Sequence, residues 1–209
     1  MLLERCCTTL EQVREAAENG AGRVELCRYL STGGLTPCEE DIRQAVAVGI
    51  PVNVLVRPRG GDFVFNASEV EQMKKEIILC RNLGVNGVVI GALSKDGNID
   101  LETMKVLMAE AKPLVDRKLE VTFHRAFDEC ANPFRALEEI ISLGCDRILT
   151  SGQRQTALEG KELIYKLVEA AKGRIIIMPG AGITPKNLPL LKEYTNAIEY
   201  HGTRLCAKE

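Results

Sequence analysis

An excess of charge of either sign is the first thing this sequence lacks. Its 27 Lys and Arg face 29 Asp and Glu, for a net charge of -2. That balance excludes a broad basic field for nucleic acid or for an anionic membrane surface. Long apolar runs are also missing, and none approaches the ~20 residues that a bilayer-spanning helix needs. Met1–Glu4 runs straight into a strand, which leaves no room for a signal peptide. A cytoplasmic protein with no membrane and no nucleic-acid partner is therefore expected. The eight cysteines include no C-x-x-C pair, and Cys6 and Cys7 are neighbours. That spacing argues against a closed structural zinc site. A chain of 209 residues needs no disulfide framework either. Most of the thiols read as small buried hydrophobes. Low-complexity segments and linkers are absent, so residues 1–209 read as one domain.

What is present is a regular alternation. Short apolar runs predict eight strands: Leu2–Cys6, Arg23–Cys27, Val52–Arg57, Gly87–Ala92, Glu120–Arg125, Arg147–Gly152, Ile175–Gly180 and Ala197–Gly202. Amphipathic stretches of about 9 to 17 residues separate them. Thr8 with Glu11, Thr36 with Glu39, Ser68 with Glu71 and Thr156 with Glu159 sit at capping-box spacing. Thr36-Pro37, Asn132-Pro133 and Thr184-Pro185 put a capping residue before a first-turn proline. Eight βα steps predict an α/β fold, a (β/α)8 TIM-type barrel. The chain stops seven residues after the last strand, so the eighth helix is expected to be missing or rudimentary. One seam would then be under-covered and would favour a homo-oligomer.

In such a barrel the chemistry sits at the C-terminal rim of the strands. Side-chain alternation points Glu4, Cys6, Glu25, Cys27, Asn53, Arg57, Thr122, His124, Glu199 and His201 inward. Both histidines of the chain are in that group. Buried carboxylates and a buried arginine need one another, so Glu4, Glu25 and Arg57 are expected to pair. Cys6 and Cys27 read either as soft-metal ligands, since thiolates suit Cu(I) and zinc, or as small apolar residues of the interior. His124 and Glu25 are candidate acid and base, with Arg57 beside them. Gly180 and Gly182 open the backbone after strand seven, where barrels often seat phosphate. Arg59, Asp62, Arg125, Ser151 and His201 complete the expected contacts to a small anionic metabolite.

Several stretches are recognisable: Arg23-Val24-Glu25-Leu26-Cys27, Gly33-Gly34-Leu35-Thr36-Pro37 and Arg57-Pro58-Arg59-Gly60-Gly61-Asp62-Phe63. Further on come Val121-Thr122-Phe123-His124-Arg125-Ala126-Phe127-Asp128, Ile148-Leu149-Thr150-Ser151-Gly152 and Ile177-Met178-Pro179-Gly180-Ala181-Gly182-Ile183-Thr184. They span nearly the whole chain, and in them it resembles the CutC family of copper homeostasis proteins. Long members of that family continue past the point where this sequence stops. The resemblance implies a cytoplasmic (β/α)8 barrel, often a homo-oligomer. It also implies copper(I) held by strand-end cysteines such as Cys6 and Cys27. A TIM-barrel enzyme acting on a small phosphate- or carboxylate-bearing metabolite is the competing expectation.

Overall fold

The computed structural model describes residues 1–207. Eight strands alternate with seven α-helices: β1 (Leu2–Cys7), α1 (Leu10–Glu18), β2 (Arg23–Leu26), α2 (Glu39–Ala47), β3 (Val52–Leu55), α3 (Ala67–Asn82), β4 (Gly87–Ile90), α4 (Leu101–Ala111), β5 (Glu120–Phe123), α5 (Pro133–Ser142), β6 (Arg147–Thr150), α6 (Lys161–Ala171), β7 (Ile176–Pro179), α7 (Leu188–Thr195) and β8 (Glu199–Gly202). The strands form one parallel sheet in the order β7-β6-β5-β4-β3-β2-β1-β8. It curls into a nearly closed barrel, with β8 laddered to β1 through Glu4↔His201.

No eighth α-helix follows β8 among the described residues, yet the seam beside β1 is closed. Among the described residues, the strands that share no ladder are β7 and β8. The tail instead packs down: Leu205 is buried, and the Arg5 guanidinium donates to the Cys206 carbonyl and pairs with Glu15.

Local sequence explains most of the helix boundaries, with shifts in the caps. Thr9, not Thr8, caps α1 by accepting from the Gln12 N–H, because the Thr8 hydroxyl already donates to the Gln12 side chain. Asn66 with Glu69 forms the capping box of α3 in place of Ser68 with Glu71. Asn is as good a cap as Ser and lies two residues nearer the entering chain. Thr36 caps nothing; its hydroxyl is held by the Arg57 carbonyl and Glu76. Asn132 caps α5, with Pro133 opening it. Thr184 and Asn187 bond each other in the turn before α7 rather than starting a helix at Pro185.

Alternation along the strands sorts side chains into two cores. Val24, Leu26, Val52, Val54, Val88, Ile90 and Ile148 face outward and are sealed by the helices. Each such buried aliphatic stabilises by roughly 1.5–3 kcal/mol. The barrel interior is mostly polar, with one small apolar group made by Cys6, Cys27, Leu55 and Val89.

Candidate functional site

The N-terminal half of the interior is an ion-pair plug. Arg23 donates from Nε to Glu4 at 2.5 Å and from Nη2 to Glu199 at 2.6 Å. Arg147 bridges Glu199 at 3.0 Å and Glu120 at 2.9 Å. Asn53 donates to Glu4, and Asn86 ties Asn53 to Glu120. The arginines of this plug were missed in the sequence. The same parity that turned Glu25 inward also turns Arg23 inward, two residues earlier. The expected pairing of Arg57 with Glu4 and Glu25 is not formed, because Arg57 lies a full layer higher. Its guanidinium donates to the carbonyls of Thr32, Gly34 and Gly61 and sits 4.6 Å from the centre of the Phe63 ring. Arg57 thereby joins the loops after β2 and β3.

Above the plug lie the thiols. Cys6 and Cys27 face each other with sulfurs 3.7 Å apart, both buried. Their sulfurs and a Glu25 carboxylate oxygen fall within 4.8 Å of one another. The hydrogen bond with Cys27 pushes the Cys6 thiol up, and burial and the Glu25 charge add to it. Glu25 is buried, and one of its oxygens, Oε2, has no partner. Burial pushes its carboxyl up to about 7, against the pull of His201. The two adjacent inward carboxylates thus behave oppositely. Burial would also raise Glu4, but the hydrogen bond with His201 and the charge of Arg23 outweigh it and hold Glu4 at about 2.

The two histidines differ in the same way. His201 meets Glu4 through Nδ1 at 2.8 Å. Because Glu4 is ionised, that nitrogen carries the proton and donates. Burial pulls His201 down, yet the Glu25 charge and the Glu4 bond prevail and raise it above 6.5. His124 accepts the Ala126 N–H at Nδ1, which leaves the proton on Nε2 of the neutral ring, and Nε2 has no partner. Burial, aided by Arg57, pulls His124 down to about 3. His124 is therefore held as a neutral donor at pH 7. Gly91 makes room for the ring, since a Cβ there would lie 2.6 Å from Nδ1.

With only two histidines in the chain, proton NMR separates these states cleanly. His201 should titrate with a midpoint above 6.5, and His124 should stay neutral between about pH 5 and 8. His124 is depressed in the folded state, so its contribution is complete above 6.5 and is lost as pH falls toward 3. A His124 midpoint near 6.5 would contradict this burial.

Cys6, Glu25, Cys27, Arg57, His124, Arg125, Gly182 and His201 all line one cavity of about 520 Å³ at the C-terminal mouth. The other expected contacts lie outside it. Arg59 turns to Glu69, Asp62 and the Val64 carbonyl, so Arg59 and the exposed Asp62 lock their own loop. Ser151 is buried under Asp128. The Gly180 N–H is spent on the Thr150 carbonyl.

Asp128 organises the rim near β6. It accepts from the Thr150 hydroxyl, the Ser151 and Gln153 N–H groups, and Arg125. Asp128→Ala should cost roughly 2–3 kcal/mol, since several donors lose a charged acceptor. A urea melt checks this, and a loss below about 0.5 kcal/mol would show that water replaces the carboxylate.

A family model described as the CutC family matches residues 1–206. The CutC family protein of Parabacteroides distasonis is 48% identical over 202 residues, 96% of this chain and 81% of that protein. The copper homeostasis protein cutC homolog of Homo sapiens is also 48% identical over 202 residues, 96% of this chain and 72% of that protein. The crystal structure of CutC from Streptococcus agalactiae superposes with a TM-score of 0.91 at 33% identity, covering 98% of this chain and 99% of that one. An aldolase with a TM-score of 0.74 and 16% identity shares the fold. Matched from its first strand to its last, and close in sequence to these relatives, this chain belongs to the CutC family.

Proposed function

We propose that this chain takes part in copper homeostasis in the cytoplasm by carrying copper(I) between Cys6 and Cys27. The single observation that carries the reading is the facing pair of buried thiols, 3.7 Å apart at the barrel mouth. Metal–thiolate bonds are about 2.3 Å long, so sulfurs at this spacing share one ion at a bent angle, and a small widening gives trigonal geometry. Thiolate is the donor that selects Cu(I). A reducing compartment keeps such a pair open for metal. The names of relatives as copper homeostasis proteins agree with this donor set. The copper is cargo, and Glu25 is the nearest carboxylate to it.

Anaerobic titration against a Cu(I) chelator is the test. One ion per chain, with sulfur scattering from two thiolates in X-ray absorption, is expected. Binding that zinc abolishes at equal concentration would make zinc the natural cargo and overturn the copper reading.

A further inference from the structure

The cavity is far larger than an ion requires. At about 520 Å³ it falls in the range of small-molecule sites. Away from the thiol pair its charge favours an anion: Arg57, Arg125 and Arg204 line it, against the single carboxylate of Glu25. The guanidinium of Arg204 forms no ion pair among the described residues, unlike Arg125, which is held by Asp128. Leu55, Leu149, Phe63 and Ile183 supply apolar walls.

Two features of the lining point to a ligand. In the turn after β7, Ala181 and Gly182 take φ of 74° and 70° in succession. Ala181 holds that conformation with a Cβ that disfavours it. The N–H groups of Ala181, Gly182 and Ile183, and of Thr203 and Arg204 after β8, donate to no group among the described residues, and all five residues line the cavity. A run of backbone donors in such turns is an anion cradle. Independently, His124 is 5% exposed and its Nε2–H has no acceptor. The Ala126 N–H at Nδ1 prevents the other tautomer. A neutral imidazole donor in an apolar wall is matched by the oxygen of a carbonyl or a carboxylate.

We propose that the mouth is also a binding site for a small phosphate- or carboxylate-bearing oxo compound. Its anionic group rests on the N–H groups of Ala181–Ile183 beside Arg204, and a second oxygen accepts from His124 Nε2. This site goes beyond copper handling and does not rest on it. It takes no ligand atom from Cys6 or Cys27.

The probes are inorganic phosphate, which tests the cradle alone, and 2-phosphoglycolate, which presents a phosphate and a second oxygen group together. Calorimetry on the full chain should show 2-phosphoglycolate binding about tenfold tighter than phosphate, the worth of one added hydrogen bond. His124→Asn should erase that tenfold difference and leave phosphate binding unchanged. Arg204→Gln, at an exposed position, should weaken both probes about fivefold. If His124→Asn fails to fold, Arg204→Gln and the His124 ring resonances on addition of 2-phosphoglycolate carry the test. Binding of both probes should persist in the Cys6→Ser, Cys27→Ser variant, so loss of the metal site leaves this site standing. No binding of either probe at millimolar concentration would overturn the proposal. So would binding that neither His124→Asn nor Arg204→Gln changes.

Discussion

Replacing both Cys6 and Cys27 with serine is expected to weaken copper(I) binding at least ~100-fold, about 2.8 kcal/mol. Serine keeps the size of the side chain but presents a hard oxygen that stays protonated at neutral pH, so the soft donor pair is lost. The fold should survive, because both side chains belong to a small interior group and not to the outer core between sheet and helices. Cys38 is exposed and Cys206 is partly exposed, so a copper signal from adventitious thiols would reside there. Cys38→Ser with Cys206→Ser should therefore change nothing. Unaltered stoichiometry and affinity in the Cys6, Cys27 double variant would remove the pair as the metal site.

The largest effect on stability is expected at Arg23. This buried side chain is the hinge between Glu4 and Glu199. Arg23→Met keeps the volume and removes the charge, leaving two carboxylates opposite each other in the interior. Breaking a buried pair in this way costs ~3–5 kcal/mol, mostly from the uncompensated charge left behind. A urea melt of Arg23→Met reads that loss directly. Adding Glu4→Gln and Glu199→Gln should recover a large part of it, since neutral amides need no counter-charge. A loss below about 1 kcal/mol in the single variant would mean that the plug is hydrated and its charges are screened.

The barrel was legible because its strands are short, apolar and evenly spaced, and because a parallel sheet covered on both faces leaves few alternatives. Helix ends were less legible. Asn66 with Glu69 and Ser68 with Glu71 carry the same spacing two residues apart, and only the entering loop decides between them. Inward facing was readable wherever polar residues interrupt a valine run, as at Asn53 and Arg57. The partners of those residues were not readable. Strand parity says which side chains share the interior, whereas the layer in which each meets another depends on barrel shear. That is why Arg57, expected beside Glu4, is held by loop carbonyls, and why Arg23 and Arg147 carry the plug instead. The state of His124 was equally hidden, because its tautomer is set by a backbone N–H two residues on. The facing of Cys6 and Cys27 was legible in part. Parity turned both thiols inward, and strand spacing of about 4.8 Å brought them near. The ladder sets Cys6 beside Glu25, however, so the thiols meet on a diagonal between β1 and the end of β2.

Anomalous diffraction at the copper edge, from crystals of the intact chain loaded with copper(I) without oxygen, tests the copper assignment most directly. One peak is expected between the Cys6 and Cys27 sulfurs, within bonding distance of both and below the cavity that His124 and the Ala181–Ile183 turn enclose. Copper density at Cys38 or Cys206 instead, with none between the facing thiols of a protein that binds copper saturably, would contradict it.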